Sequence, residues 1–238
     1  EIRNTLFLDA DANLFDYLKG EGTDGSIVGA TTQHYGHNTV DYKKVLEKGF
    51  LGIRKEAEDR LSRIDTSDAE DAAKIPFLEA VIRTMTAAAE VGPRLASMAR
   101  ALSERETDSA RKDELLKIAD ICDRVPAHPA RTFHEALQTY WLAWVMLYWE
   151  ESVLPGECHG RADQYLNPYY EKDLSEGRIT EKRAQELIDC LILKINENSS
   201  SSHISVGGVK PNGRDATNAL SYMFIEGMIH TRCVQPFF

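Results

Sequence analysis

Between Thr132 and Trp149 the chain reads TFHEALQTYWLAWVMLYW, and this stretch does most to limit how the chain can fold. Thr132 and Glu135 stand at capping-box spacing, in which a hydroxyl and a carboxylate each accept from a backbone N–H at the helix start. Phe133, Ala136, Leu137, Tyr140, Trp141 and Trp144 then recur at three- and four-residue steps along one face. By Val145 the stretch is apolar nearly all round, which requires a helix buried on every side. Its near-continuous apolar run, Tyr140 to Trp149, is ten residues long. That is too short for a bilayer, where about twenty are needed. The helix therefore belongs inside a globular body, and 238 residues with 42% hydrophobic side chains suffice to build one.

Helical patterning recurs on both sides. From Asp41, the residues Tyr42, Val45, Leu46, Phe50, Ile53, Ala57 and Leu61 keep helical steps. Ser67 and Glu70 have capping-box spacing in the charged break that follows. Ile75 to Met98 is Ala-rich with one apolar face, and Pro93 marks a kink or a new start there. Arg100 to Arg124 is a third helical stretch with a charged outer face. Further on, a short helix is expected over Tyr165 to Leu174, and Thr180 caps another running to about Asn196. HISVGGVKPNG reads as a short β-rich segment with a turn at Pro211-Asn212-Gly213, and Asp215 to Cys233 as a last helix. The fold class expected is mainly α with a few strands. Three parts follow: a Gly-rich loop over 1–40, a helical layer over 41–198, and a strand-turn-helix unit over 199–238.

Charge narrows the function classes. Asp and Glu number 38 against 28 Lys and Arg, a net charge of -10, so the chain has no general affinity for phosphate backbones and nucleic acid is not an expected partner. Cys122, Cys158, Cys190 and Cys233 are each more than thirty residues apart, with no CxxC or zinc-type pair, which fits a reduced, cytoplasmic chain. The first residues lack the basic-then-apolar order of a signal peptide, and no membrane association is expected. A first residue of Glu and an apolar end at Phe237-Phe238 lead us to expect a portion of a longer protein.

Three clusters carry chemistry-bearing side chains. Gln33-His34-Tyr35-Gly36-His37 places two imidazoles, an amide and a phenol on a Gly-rich loop, either lining a polar pocket or decorating a surface. Glu157-Cys158-His159, with Arg161 and Asp163, invites a metal or nucleophile reading, but adjacent loop residues rarely converge on one ion and no second ligand pair completes a zinc site. Arg161 and Asp163 fit better as a structural pair or as ligands of backbone carbonyls. VGGVKPNGRDATN lacks the GK[ST] of a P-loop and the spacing of a dinucleotide fingerprint, and reads as strand, turn and helix start. No metal site is expected.

Four collinear segments, GHNTVDYKKVLEKGFLGI (36–53), ARKDELLKIADICDRVPAHPARTFHEALQTYW (110–141), GRADQYLNPYYEKDLSEGRIT (160–180) and VGGVKPNGRDATNALSYMFIEG (206–227), resemble the pyruvate formate-lyase-like glycyl radical enzymes. Val40 stands where that family commonly has proline. The resemblance implies a ten-strand α/β barrel wrapped in helices, of which this chain would be the N-terminal and central portion. It also implies radical cleavage of C–C or C–X bonds in a small organic substrate, by a lyase, dehydratase, decarboxylase or acyltransferase of anaerobic metabolism. A glycyl radical installed by a separate radical SAM activase, a thiyl cysteine and a homodimer are parts of the same implication. The thiyl and glycyl loops of the family follow the segments matched here, so no catalytic residue is assigned within this chain and the portion alone is expected to be inactive.

Substrate contacts are assigned by position. His37 occupies the place of a substrate-contacting histidine in diol-dehydrating relatives, and Gln33 lies where other relatives read polar head groups. Pro155 and Gly156 replace the His-Ser pair of glycerol-type relatives, which argues against glycerol as substrate. Glu157 and His159 become candidates for reading a different head group, a cationic one for Glu157. A non-catalytic helical binding module, or a relic of such an enzyme, is the alternative reading.

Overall fold

The computed structural model describes residues 39–151, 157–198 and 202–236. Among them run α1 (Tyr42–Leu61), α2 (Ala69–Ala72), α3 (Ile75–Ala89), α4 (Val91–Arg105), α5 (Ser109–Arg124), α6 (Phe133–Glu151), β1 (Glu157–Cys158), α7 (Ala162–Ser175), α8 (Glu181–Asn198), β2 (Ser202–His203) and α9 (Ala219–Thr231). The chain is mostly helical. Extended structure among the described residues amounts to the parallel β1–β2 pair and one antiparallel bridge, Val209 to Asp215.

The long apolar helix sits where its composition requires. Phe133, Ala136, Tyr140 and Trp144 on α6 are each 1% exposed or less. Around them close Tyr42 and Leu46 of α1, Leu166 and Tyr170 of α7, Ile188, Ile192 and Ile195 of α8, and Leu220 and Phe224 of α9. Burying a large side chain of this kind contributes roughly 1.5–3 kcal/mol, so this shared core is what holds the layers together. A smaller core of Ala96, Ala99, Ala119 and Cys122 joins α4 to α5, where small residues allow close approach of the two axes.

Caps explain several boundaries and correct others. Asp41 opens α1, its carboxylate accepting from the Lys44 N–H at 3.1 Å. The helix is not continuous as its periodicity suggests. Gly49 adopts φ 64°, ψ 170°, and the freed N–H groups of Phe50 and Leu51 donate to the Pro126 and Ala127 carbonyls, both at 3.0 Å. Asp68, not Ser67, caps α2, because Ser67 turns back to the Asp65 carboxylate at 2.6 Å. Pro93 lies in the first turn of a new helix, α4. The stretch from Arg100 to Arg124 is divided at Glu106 to Asp108, where Asp108 accepts from the Ala110 N–H at 2.9 Å and starts α5. The last helix begins at Ala219 rather than Asp215, under a capping box of Asn218 and Ser221. Thr180 caps α8 as expected, accepting from the Arg183 N–H at 3.2 Å.

One face of α9 remains open. Tyr222, Ile225 and Ile229 are 62%, 47% and 68% exposed. No helix among the described residues is long and apolar enough to cross a membrane.

Candidate functional site

The Gly160-to-Tyr165 segment is where the described chain is most tightly organised around polar groups. β1 and β2 pair in parallel, with Glu157 opposite Ser202 and Cys158 opposite His203. The ladder continues past the strands: the His159 N–H donates to the His203 carbonyl at 2.8 Å, and the Ser205 N–H to the Gly160 carbonyl at 2.9 Å. Behind β2, the Ser202 N–H donates to the Gln235 amide oxygen at 2.8 Å, and Asn196 accepts from the N–H groups of Val234 and Gln235.

At Gly160 the chain turns into α7, and Arg161, Asp163 and Gln164 grip the loop over residues 205–218 and the first turn of α9. Arg161 donates to the carbonyls of Gly207 and, at 3.3 Å, Val209. Asp163 is fully buried, and its Oδ2 accepts from the Gly207 N–H at 2.7 Å and from the Ser221 hydroxyl. Gln164 donates to the Ala216 carbonyl at 2.8 Å, and Asn218 returns a bond to the Asp163 carbonyl at 3.0 Å. Tyr165 donates to the His159 carbonyl. The gripped loop is a hairpin: the Lys210 N–H donates to the Arg214 carbonyl at 2.8 Å and Gly213 takes φ 79°. Arg161 thus binds backbone carbonyls, and Asp163 binds donors of the loop rather than pairing with Arg161.

His159 is wholly buried against aromatic rings, its ring centroid 5.4 Å from Trp144 and 5.5 Å from Tyr140. Neither ring nitrogen has a hydrogen-bond partner among the described residues. Burial pushes this imidazole down to about 3, with His203 adding to the effect, so it is neutral at physiological pH. The Tyr140 and Tyr165 phenols are pushed up by the same loss of solvent and stay protonated. A buried, neutral imidazole is a donor and acceptor without charge, suited to a neutral or polarised partner.

The other assigned positions are placed less fully. Gln33 and His37 lie outside the described residues. Glu157 contributes backbone to β1, and its side chain is also outside them. Among the described residues no three His, Cys, Asp or Glu side chains converge as metal ligands. Cys122 is buried beside Asp123 and its thiol is pushed up to about 11, mainly by burial, which disfavours a thiolate. Sequence reading missed the roles of Gln164 and Asn218. Asn218 carried a visible signal, an N-cap residue three positions before Ser221, but its bond to Asp163 had none.

The family model for pyruvate formate lyase-like proteins matches residues 13–238. Isethionate sulfite-lyase of Nitratidesulfovibrio vulgaris is 37% identical, over 93% of this chain and 29% of its own length. Trans-4-hydroxy-L-proline dehydratase of Clostridioides difficile is also 37% identical, over 84% of this chain and 28% of its own. Among solved structures, the enzyme of 1,2-propanediol dehydration in Roseburia inulinivorans superposes with a TM-score of 0.80 at 39% identity, over 84% of this chain and 27% of that one. A glycyl radical enzyme of Archaeoglobus fulgidus gives 0.79 at 30% identity, over 97% of this chain and 31% of that one. The chain spans under a third of the length of these relatives. It belongs to the pyruvate formate-lyase-like glycyl radical enzymes.

Proposed function

We propose that this chain is the front portion of a radical lyase that eliminates a leaving group from, or cleaves a C–C bond in, a small organic substrate. The observation that carries this is identity of 37% across nearly the whole chain to a sulfite-lyase and across most of it to a dehydratase. An acyltransferase is the less favoured chemistry, since the names among the relatives describe eliminations and a decarboxylation. On this reading 1–40 and Glu157 would face the substrate, 41–198 would wrap the barrel, and 199–238 would enter it. β1 and β2 are then neighbouring barrel strands. The open face of Tyr222, Ile225 and Ile229 is the surface that the rest of the barrel covers, since about 70% of a relative's length has no counterpart here.

His37, Gln33, Glu157 and His159 line the pocket on this reading. Glu157 would sit at the start of β1 and favour a cationic or hydroxyl-bearing head group. His159 would offer an uncharged imidazole, which its two unpartnered nitrogens and its lowered pKa support. The glycyl radical supplies hydrogen abstraction when present; none of Cys122, Cys158, Cys190 or Cys233 is assigned as its thiyl partner. What this chain does is bind, orient and exclude water, and alone it does not turn over. A radical SAM activase, a homodimeric assembly and a cytoplasmic location complete the reading.

The test is anaerobic activation of the full-length protein by its radical SAM activase, with electron paramagnetic resonance and a substrate panel of isethionate, trans-4-hydroxy-L-proline and 1,2-propanediol. A glycyl radical signal with turnover of a hydroxylated or sulfonated substrate is expected. Glu157→Gln and His37→Ala should each lower kcat/KM by about a hundredfold, the loss of one charge-assisted contact, with the radical signal intact. Activation without a radical signal would favour the binding-module reading instead. Unchanged kcat/KM in both variants would overturn the site assignment.

A further inference from the structure

A cleft of about 350 Å³ opens between α5, α6 and α8, away from the Gly160-to-Tyr165 segment. Its carboxylates are already matched. Asp173 accepts from the Phe133 N–H at 2.8 Å and from Arg178 at 2.7 Å. Glu135 accepts from the Arg131 N–H at 2.8 Å and its guanidinium at 2.7 Å, with Arg124 at 3.6 Å. Of its cations, Arg178 is matched by Asp173, whereas Arg183 and Lys117 are not matched in full. Arg183 spends one nitrogen on the exposed Glu186, at 2.7 Å, and leaves the others of its fork. Lys117 makes no ion pair or hydrogen bond with any described residue.

Between them lies His134, whose Nδ1 is buried without a hydrogen-bond partner. Its imidazole is pushed down to about 4, by burial first and then by Lys117 and Arg183, against which Glu135 acts more weakly. The cleft is lined by one more cation than carboxylates, Lys117, Arg178 and Arg183 against Glu135 and Asp173. The N-terminus of α8, capped by Thr180, adds a partial positive charge on the same side.

We propose that this cleft binds a small carboxylate with a short apolar tail, its head held by Lys117 and Arg183 and its tail laid on Ile121, Ile179 and Leu187. Nothing in this reading depends on which substrate the radical chemistry takes.

Isothermal titration of hexanoate into the full-length protein tests it, with acetate and hexanol as probes lacking the tail or the charge. Hexanoate should bind saturably, and acetate and hexanol each at least about tenfold more weakly. Lys117→Ala and Arg183→Ala should each raise the Kd of hexanoate about tenfold. Lys117 is exposed, so its truncation leaves the fold intact, which circular dichroism confirms independently. At pH 5, binding should be accompanied by proton uptake as the anion raises His134, with Glu135 and Asp173 already committed to their arginines. Three results would each overturn the proposal: no saturable binding in the millimolar range, a Kd unmoved by both substitutions, or hexanol binding as well as hexanoate.

Discussion

Replacing Asp163 probes the lock between α7 and the 205–218 loop. Its Oδ2 alone receives both the Gly207 N–H, at 2.7 Å, and the Ser221 hydroxyl, while Oδ1 has no partner among the described residues. Asp163→Ala leaves two donors unsatisfied inside the protein. Hydrogen bonds to a charged group are worth about 1.5–3 kcal/mol each, so the lock should weaken by about 3–5 kcal/mol. Asp163→Asn keeps an oxygen where both donors converge and puts its amide nitrogen where nothing was bound. Neutral acceptors hold roughly half as strongly, so the cost should be about 1–2 kcal/mol. Hydrogen–deuterium exchange over residues 205–218 reads this locally, because opening of the loop exposes its amides without global unfolding. Protection should fall about a hundredfold or more for the alanine variant and about tenfold for the asparagine variant. Equal losses in the two variants, or unchanged protection in both, would refute the account of a single shared acceptor.

Other substitutions test close packing and acid response. Gly49→Ala should destabilise by at least about 3 kcal/mol in denaturant titration, since φ 64° is disfavoured for alanine and its Cβ would lie 2.5 Å from the Ala127 carbonyl oxygen. Gly92→Ala should cost more than Gly227→Ala. The first forces a Cβ to 2.3 Å from the Cys122 carbonyl and parts α4 from α5, whereas the second meets the tip of Ile192, which can rotate. A reversed order would show that the α4–α5 contact yields easily. Both His134 and His159 are neutral when folded, with pKa values of about 4 and about 3, below the ordinary value of 6.5. The unfolded chain therefore takes up their protons first as pH falls below 6.5. Their contribution is fully present above that pH and is lost toward pH 3–4, each histidine adding a slope of about 1.4 kcal/mol per pH unit. Urea midpoints between pH 4 and 7 should flatten by one such step in His159→Phe; an unchanged slope would mean that this imidazole finds a partner when protonated.

What could be read from sequence, and what could not, divides by the range over which each signal acts. The α6 core helix, the Thr180 cap and the turn near Gly213 depend on residues a few positions apart, so their patterns were legible. The errors fell where two local solutions compete. Ser67 and Asp68 can both cap α2, and the choice is made by Asp65, which captures the Ser67 hydroxyl. Asp215 offered a helix start, but its carboxylate is taken by Thr217 at 2.9 Å and Asn218 caps instead. The break at Gly49 had no periodic signature, because its cause is backbone 77 residues away, at Pro126, that supplies carbonyls to the freed N–H groups.

The Gly160-to-Tyr165 segment shows why family signatures can be recognised before they are understood. Arg161, Asp163 and Gln164 crowd into four positions, yet their partners lie 44 to 58 residues on, at Gly207, Ser221, Val209 and Ala216. No spacing rule within the motif predicts that these side chains reach different backbone and hydroxyl groups of one loop and of the helix it feeds. The loop itself has almost no regular structure of its own: one bridge and a turn. Its shape is imposed by the motif, and its other end feeds α9 through Asn218, which is bonded back to the Asp163 carbonyl. Changing any one of these residues releases a shared loop rather than a single contact, so their losses should be less than additive when combined. An Arg161→Ala, Asp163→Ala double variant whose loss in loop protection equals the sum of the single losses would show that they act on separate segments.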